Sequence, residues 1–311
     1  MLSPDSRAVA MDLLKPPPGY RIDRTVLTTY SLDLEVLLAL PLAVLAQTDA
    51  GVEQLLLDPL MLLEAIDEAG IAVPANGRAL YGALESSVHP VKAPNGGVFH
   101  PKVWVARFVH DNEPPLIRVS VASRNLTFDR SWDIALTSEA TPGKKTIAAS
   151  KPLSDLLRRL PGLGDETLED AVIADIQQLA DEVKRTAFPA PEGFDSGLEF
   201  YVLGLGKQRA HWSPVEQATR MLAIAPFLSD KALQKIARLA SSESLLVSRA
   251  DQLSQLETDL ANDWSVVQVL SSTADVEAED ESQLRPFGLH AKLMVFEWGH
   301  RATWFIGSAN L

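Results

Sequence analysis

Two histidine–lysine pairs stand out among the residues of this chain that could do chemistry. His100 and Lys102 lie in Phe99-His100-Pro101-Lys102, and His290 and Lys292 lie in Leu289-His290-Ala291-Lys292. Each pair is followed by a Ser-x-Asn: Ser123-Arg124-Asn125 after the first and Ser308-Ala309-Asn310 after the second. Side chains alternate along a strand, so a histidine and lysine two residues apart address one side of it. An imidazole serves as nucleophile or proton donor, and a neighbouring ammonium supplies fixed positive charge for an anionic transition state. The hydroxyl and amide of Ser-x-Asn suit phosphate oxygens or the orienting of a histidine. Two histidines facing one phosphorus would allow attack from one side and protonation of the leaving oxygen from the other, with no metal or cofactor required.

A single such pattern would mean little. A strand histidine is ordinarily satisfied by a hydrogen bond, a lysine usually marks a solvated face, and Ser-x-Asn is common turn composition. The weight comes from the repetition in matching positions of two halves. His89, His110, His211 and His300 lack this company and read as structural. The chain has no cysteine, which removes disulfides, thiolate nucleophiles and cysteine-rich metal sites. Gly-rich phosphate loops and the usual zinc or calcium spacings are also absent from the sequence.

The elements that must position these residues alternate between strands and helices. Strands are expected at residues 21–30, 97–108, 116–122 and 131–137, with helices at 32–45, 60–69, 151–159 and 168–185 and a short strand at 70–73. The Pro- and Gly-bearing stretch 188–194 reads as a connection. Beyond it, strands are expected at 198–205, 244–247, 265–270, 288–297 and 302–306, with helices within 214–239 and at 252–261. The acidic stretch 275–281 reads as a surface loop. The fold class is therefore α/β in two similar halves, residues 1–188 with an N-terminal extension and residues 195–311. A second half matching the first would continue through another strand and a helix, so it is expected to be incomplete at its C-terminus.

Composition bounds what these halves can be. With 311 residues, 46% of them hydrophobic, the chain can bury two cores and is not a disordered acidic tail. Its 28 basic against 41 acidic residues give a net charge of −13, which argues against indiscriminate attraction to nucleic acid but leaves room for a local positive groove. The apolar run 36–46 is shorter than the roughly 20 residues of a bilayer span. The N-terminus carries acidic residues and three consecutive prolines where a secretory signal would be basic and then apolar. A cytoplasmic protein without a membrane crossing is expected.

The repeated stations resemble the phospholipase D superfamily, whose members carry His-x-Lys, an acidic residue five positions after the lysine, and Gly-Ser-x-Asn. His290, Lys292, Glu297 and Gly307-Ser308-Ala309-Asn310 match with Glu for the usual Asp. The first station keeps His100 and Lys102, but Arg107 stands at the acidic position and Ala122-Ser123-Arg124-Asn125 replaces the Gly-Ser form. The resemblance implies α/β/α halves around a twofold-like axis, one active site formed by both, and no metal. It implies phosphodiester transfer through a phosphohistidine, with His100 as nucleophile and His290 as acid and then base. Lys102, Lys292, Asn125 and Asn310 would bind nonbridging oxygens, Ser123, Ser308 and Glu297 would support them, and Asp133 would hold the opposite histidine. Arg124 is a candidate phosphate contact. Trp104, Trp132 and Trp304 are candidates for base stacking, with core packing the better reading.

Relatives of this kind suggest nucleic acid as the substrate, in DNA restriction, repair or antiphage defence, with a helicase or translocase partner or a fused C-terminal region, and with homo-oligomerisation open. A phospholipid or small phosphodiester hydrolase is the second reading. A catalytically silent scaffold that binds nucleic acid or protein is the third.

Overall fold

The computed structural model describes residues 13–33, 36, 62–66, 87–127, 131–205, 213–257, 260, 263–269 and 288–311. They fall into two compact units: Met1–Ser120 with Thr137–Arg209, and Val121–Leu136 with Ala210–Leu311. Each is built on one sheet.

The first sheet contains β1 (Arg21–Thr28), β2 (Leu62–Ile66), β3 (Val88–Pro90), β4 (Val103–Val109), β5 (Leu116–Ala122) and β6 (Ala135–Ala140), in the order β3-β2-β1-β4-β5-β6. β1 is parallel to β2 and β2 to β3, whereas β4 runs antiparallel to β1. β1 begins exposed at Arg21 and ends with Thr25–Thr28 buried, which is the burial of a central strand covered on both faces. Among the described residues, this unit includes the helices α1 (Lys151–Arg159) and α2 (Asp170–Lys184). α1 has a proline in its first turn and Arg158 and Arg159 in its last, both favourable to the backbone dipole and its orphan donors. Leu153, Leu156, Leu157 and Leu160 form its buried stripe, at the three- and four-residue spacing of one helix face.

The second sheet contains β7 (Ala218–Ile224), β8 (Ala240–Ser248), β9 (Val266–Val269), β10 (Leu293–Trp298) and β11 (Arg301–Ile306), in the order β11-β10-β7-β8-β9. β7 is parallel to β8 and β8 to β9, and β10 is antiparallel to both β7 and β11. Helix α3 (Asp230–Ala237) follows β7, capped by Ser229, whose hydroxyl accepts from Ala232 N; the single-turn α4 (Ala250–Leu253) follows β8. Met221, Ala223, Leu233, Leu246, Trp264 and Phe296 are at the centre of this unit's core.

The two sheets share one plan. A central strand is flanked on one side by two successive parallel strands and on the other by an antiparallel strand and its neighbour. β1 corresponds to β7, β2 to β8, β3 to β9, β4 to β10 and β5 to β11. The repeat of two short motifs is therefore a repeat of topology, and the chain has a two-sheet α/β architecture.

Several local expectations are revised. Residues 62–66, expected within a helix, form β2; a short apolar run has no decisive period, and pairing alongside β1 settles its state. The segment 214–239 is not all helix, because Ala218–Ile224 is the central strand of the second sheet. Residues 198–205 form no strand and run as an irregular segment, with Phe200 N donating to Ala149 O. Of the helix expected at 252–261, α4 ends at Leu253 and residues 254–257 are not helical, while Leu260 is helical and residues 258, 259 and 261 lie outside the described residues. Most of the helix expected at 32–45, the short strand at 70–73, the acidic loop at 275–281 and His211 lie outside the described residues. Among the described residues no helix is long and apolar enough to cross a membrane.

Candidate active site

Both His-x-Lys pairs occupy the extended lead-in to a strand rather than the strand itself: β4 starts at Val103 and β10 at Leu293. Because β4 and β10 are antiparallel to the central strands, each pair lies at the carboxyl end of β1 or β7. That is the end at which α/β sheets present their ligand-binding residues. Both Ser-x-Asn segments follow the next strand, after β5 and after β11.

In the first unit Thr28 fixes the start of β4. Its hydroxyl accepts from Val103 N at 2.9 Å and donates to Val103 O at 3.2 Å. Lys102, next to this clamp, is fully buried. Its Nζ lies 3.0 Å from His100 Nε2 and 3.2 Å from Nδ1. Lys102 Nζ is thus within reach of both ring nitrogens, and which of them is its partner depends on the tautomer of His100. Tyr30, two residues past β1, packs its ring on His100 with centroids 5.1 Å apart and has Lys102 Nζ 5.9 Å from its centroid.

In the second unit the segment around Trp132 runs alongside that around Leu289 as a parallel bridge. The Trp132 carbonyl accepts from His290 N at 2.9 Å and from Ala291 N at 2.7 Å, and Trp132 N donates to Gly288 O at 2.7 Å. The backbone of His290 is thereby held at the level of Asp133, whose Oδ1 is 3.1 Å from His290 Nδ1. Ser123 is fully buried; its Oγ donates to the same Oδ1 at 2.8 Å and accepts from Ile134 N at 2.9 Å. The result is a Ser123–Asp133–His290 chain. A carboxylate only accepts, so Nδ1 supplies the proton of this bond and Nε2 is the ring nitrogen remaining for other contacts. Asp133 Oδ2 is buried without a hydrogen-bond partner, and Arg124 Nη1 stands 3.9 Å from it while Nη2 donates to Thr127 O. Lys292, nearly fully buried, donates from Nζ to the His290 carbonyl at 2.9 Å.

The remaining candidates divide. Asn125 and Ser308 are half-buried and Asn310 is exposed. Glu297 is occupied on β10 by Arg220, with Oε1 and Oε2 at 2.6 and 2.8 Å from Nη2. Arg107, at the equivalent place in the first unit, reverses that charge and is matched by a different set of acids. Its Nη1 reaches Asp23 at 2.8 Å and its Nε reaches Glu182 of α2 at 2.7 Å. Cross-strand from it, Arg24 is balanced by Asp23 and Asp175. The departure at position 107 is thus a closed ion-pair network that ties β1 and β4 to α2. Of the three tryptophans, Trp104 is core at 7% exposure, whereas Trp132 and Trp304 are open to solvent at 56% and 42%.

Residue-by-residue reading missed Tyr30 and Thr28, which carry no motif and meet the site only through strand pairing. It also missed a legible signal: both stations extend to Ser-x-Asn-Leu, and Leu126 and Leu311 are both buried anchors. Leu311 sits in the second unit's core, and its carbonyl accepts from Ser229 N at 2.5 Å. His89 is buried and structural, its acid strength shifted to favour the neutral ring by burial, with Glu166 opposing. Among the described residues no cluster of three or more His, Asp or Glu side chains is arranged to hold a metal ion.

No protein-family model and no curated protein matches this chain. Among solved structures, it is similar to yeast tyrosyl-DNA phosphodiesterase, at 13% identity and a TM-score of 0.47 over 93% of this chain and 77% of that one. A mutant of the same yeast enzyme gives 12% identity and a TM-score of 0.49 over 93% and 79%. What the site can do follows from its own residues.

Proposed function

We propose that the protein is a phosphodiesterase that cuts nucleic acid through a phosphohistidine, without a metal. The observation that carries this reading is the repeated station: the same His-x-Lys and Ser-x-Asn at the same place in two topologically equivalent sheets, one of them completed by Asp133 on His290.

The unlike surroundings of the histidines support a division of labour. His100 has Lys102 Nζ beside its ring nitrogens, and on this reading it attacks as the neutral ring. As an anionic phosphate draws the Lys102 ammonium to its oxygens, the ring's lone pair is released for attack on phosphorus. The P–N bond forms and the P–O bond to the leaving group breaks, and the departing oxygen takes the proton from His290 Nε2. His290, then neutral, accepts a proton from water as that oxygen attacks phosphorus and the P–N bond to His100 breaks. Asp133 balances the charge of His290 whenever the ring carries both protons. Lys102, Lys292, Asn125 and Asn310 bind nonbridging oxygens on this reading, and Ser123 acts through Asp133 as a positioning residue. Cytoplasmic restriction, repair or antiphage defence, with a helicase or translocase partner, is the setting such an activity fits.

The test is cleavage of labelled single-stranded DNA, double-stranded DNA and RNA in EDTA by the protein and by His100→Ala and His290→Ala. EDTA-resistant cutting that both substitutions abolish is expected, with a covalent protein–oligonucleotide adduct trapped by rapid alkaline denaturing quench in the unsubstituted chain and absent from His100→Ala. Cutting of a phospholipid or a small phosphodiester with no cutting of nucleic acid would replace the substrate, and no cutting of any of them by folded protein would refute the enzyme.

A further inference from the structure

The second unit carries an aromatic and guanidinium pair that the two-histidine chemistry does not use. Phe227 is the third residue past β7 and Arg249 the first past β8, so both stand at the carboxyl ends of adjacent parallel strands. The antiparallel register that pairs Ile224 with Leu293 brings the residues after β7 and those before β10, His290 and Lys292 among them, to this same end of the sheet. The Arg249 guanidinium lies 5.5 Å from the Phe227 ring centroid, over one face. The ring nevertheless remains 44% exposed, large for a phenylalanine with a neighbour on one face.

Both partners are held in place. Arg249 is gripped by Asp251 through Nε at 2.9 Å and Nη2 at 3.0 Å. Phe227 is pinned from the next two residues, with Leu228 N donating to Gln252 Oε1 at 3.3 Å and Ser229 N to the Leu311 carbonyl. Ser229 also caps α3, and Leu311 is the buried anchor behind Asn310. Conformational freedom is thus removed before any ligand arrives, so little is lost on binding. The first unit has an aromatic in the comparable place, Tyr30, but its ring is packed on His100. Tyr30 is half-buried, whereas Phe227 is exposed.

We infer that Phe227 and Arg249 form a stacking subsite for one unpaired nucleobase of the substrate, next to the His290 station. A planar base fits the exposed side of the ring, and the guanidinium behind it polarises the ring. An unpaired base is required because stacking on a side chain needs a base face that is not already covered in a duplex. The inference rests on the nucleic-acid reading above and sharpens it: the substrate is single-stranded at the nucleotide that Phe227 receives.

The test uses the full chain in the His100→Ala background, which binds without cutting, and measures affinity for a labelled single-stranded DNA oligonucleotide and a matching series with one abasic site at each position. Phe227→Ala is expected to weaken binding by about 5- to 150-fold, the range for one base–aromatic stack, and Phe227→Trp to restore it. One abasic position should reproduce the loss and add nothing further in Phe227→Ala. Equal affinity of Phe227→Ala and the parent, with nucleic-acid cleavage by the otherwise unsubstituted chain intact, would overturn the subsite and leave the nuclease standing. A loss that Phe227→Trp fails to restore would make the effect structural and overturn the stacking. No binding and no cleavage of any nucleic acid would overturn both, and retention on phosphatidylcholine vesicles lost in Phe227→Ala would make the ring a lipid contact instead.

Discussion

Replacing Asp133 by asparagine changes one atom and tests the His290 arrangement at its hinge. Asp133 Oδ1 receives both His290 Nδ1 and the Ser123 hydroxyl, while Oδ2 is buried with Arg124 Nη1 3.9 Å away. An asparagine must choose which end keeps the oxygen. The Arg124 charge favours oxygen on its side, which turns the amide nitrogen toward His290. That nitrogen donates, so Nδ1 becomes an acceptor and the ring proton moves to Nε2, the wrong tautomer for a base that must then collect a proton from water. Loss of a hydrogen bond to a charged group is worth about 1.5–3 kcal/mol, or about 10- to 150-fold in rate. Loss of general acid and base function carries roughly 10²- to 10⁴-fold. Asp133→Asn should therefore lower kcat by about two to four orders of magnitude, with KM nearly unchanged and no loss of fold by circular dichroism. Ser123→Ala, which removes the second bond to Oδ1 and the acceptor of Ile134 N, should cost about tenfold, near the worth of one ordinary buried hydrogen bond. Single-turnover kinetics across pH separates phosphohistidine formation from its hydrolysis, and the deficit should be largest in the hydrolysis step. A folded Asp133→Asn protein with unchanged kcat and pH profile would refute the role of the Asp133–His290 pair.

Further outcomes follow from the packing. His89 is buried in its neutral form, so the unfolded chain binds a proton below about pH 6.5 that the folded chain resists; stability in urea titrations should be full above that pH and fall as pH drops below it, and His89→Leu should flatten this slope. Gly164→Ala would place a methyl 2.5 Å from His89 Nε2 and 2.9 Å from the Pro90 carbonyl, and should cost about 1–3 kcal/mol in denaturant unfolding. Arg107→Glu, which restores the acidic residue of the motif, should destabilise by roughly 3–5 kcal/mol because Asp23 and Glu182 would face a third carboxylate in a largely buried cluster. Glu297→Gln breaks only an exposed pair with Arg220 and should leave the denaturation midpoint nearly unchanged by the same measurement.

What was legible in the sequence is what spacing alone dictates. His-x-Lys and Ser-x-Asn keep their separation wherever the chain goes, so the repeat, and with it a two-sheet α/β architecture, could be read before any pairing was known, whereas the placing of Val121–Leu136 in the second unit could not. β5, α1 and α2 were readable for a related reason: their hydrophobic periods and turn residues are local, and long elements average out exceptions. β2 was not, because five apolar-rich residues fit either state until β1 pairs with them. Nor was the work of Arg107, whose charge violates the motif and makes sense only beside Asp23 and Glu182, 84 and 75 residues away in the chain. Tyr30 reaches His100, and Ser123 and Asp133 reach His290, through strand register and a parallel bridge across 157 residues. Residue types and their spacing determined which groups could react. Which group orients which histidine, and which aromatic stays exposed, depends on contacts between residues remote in sequence, and only the tertiary structure decided those.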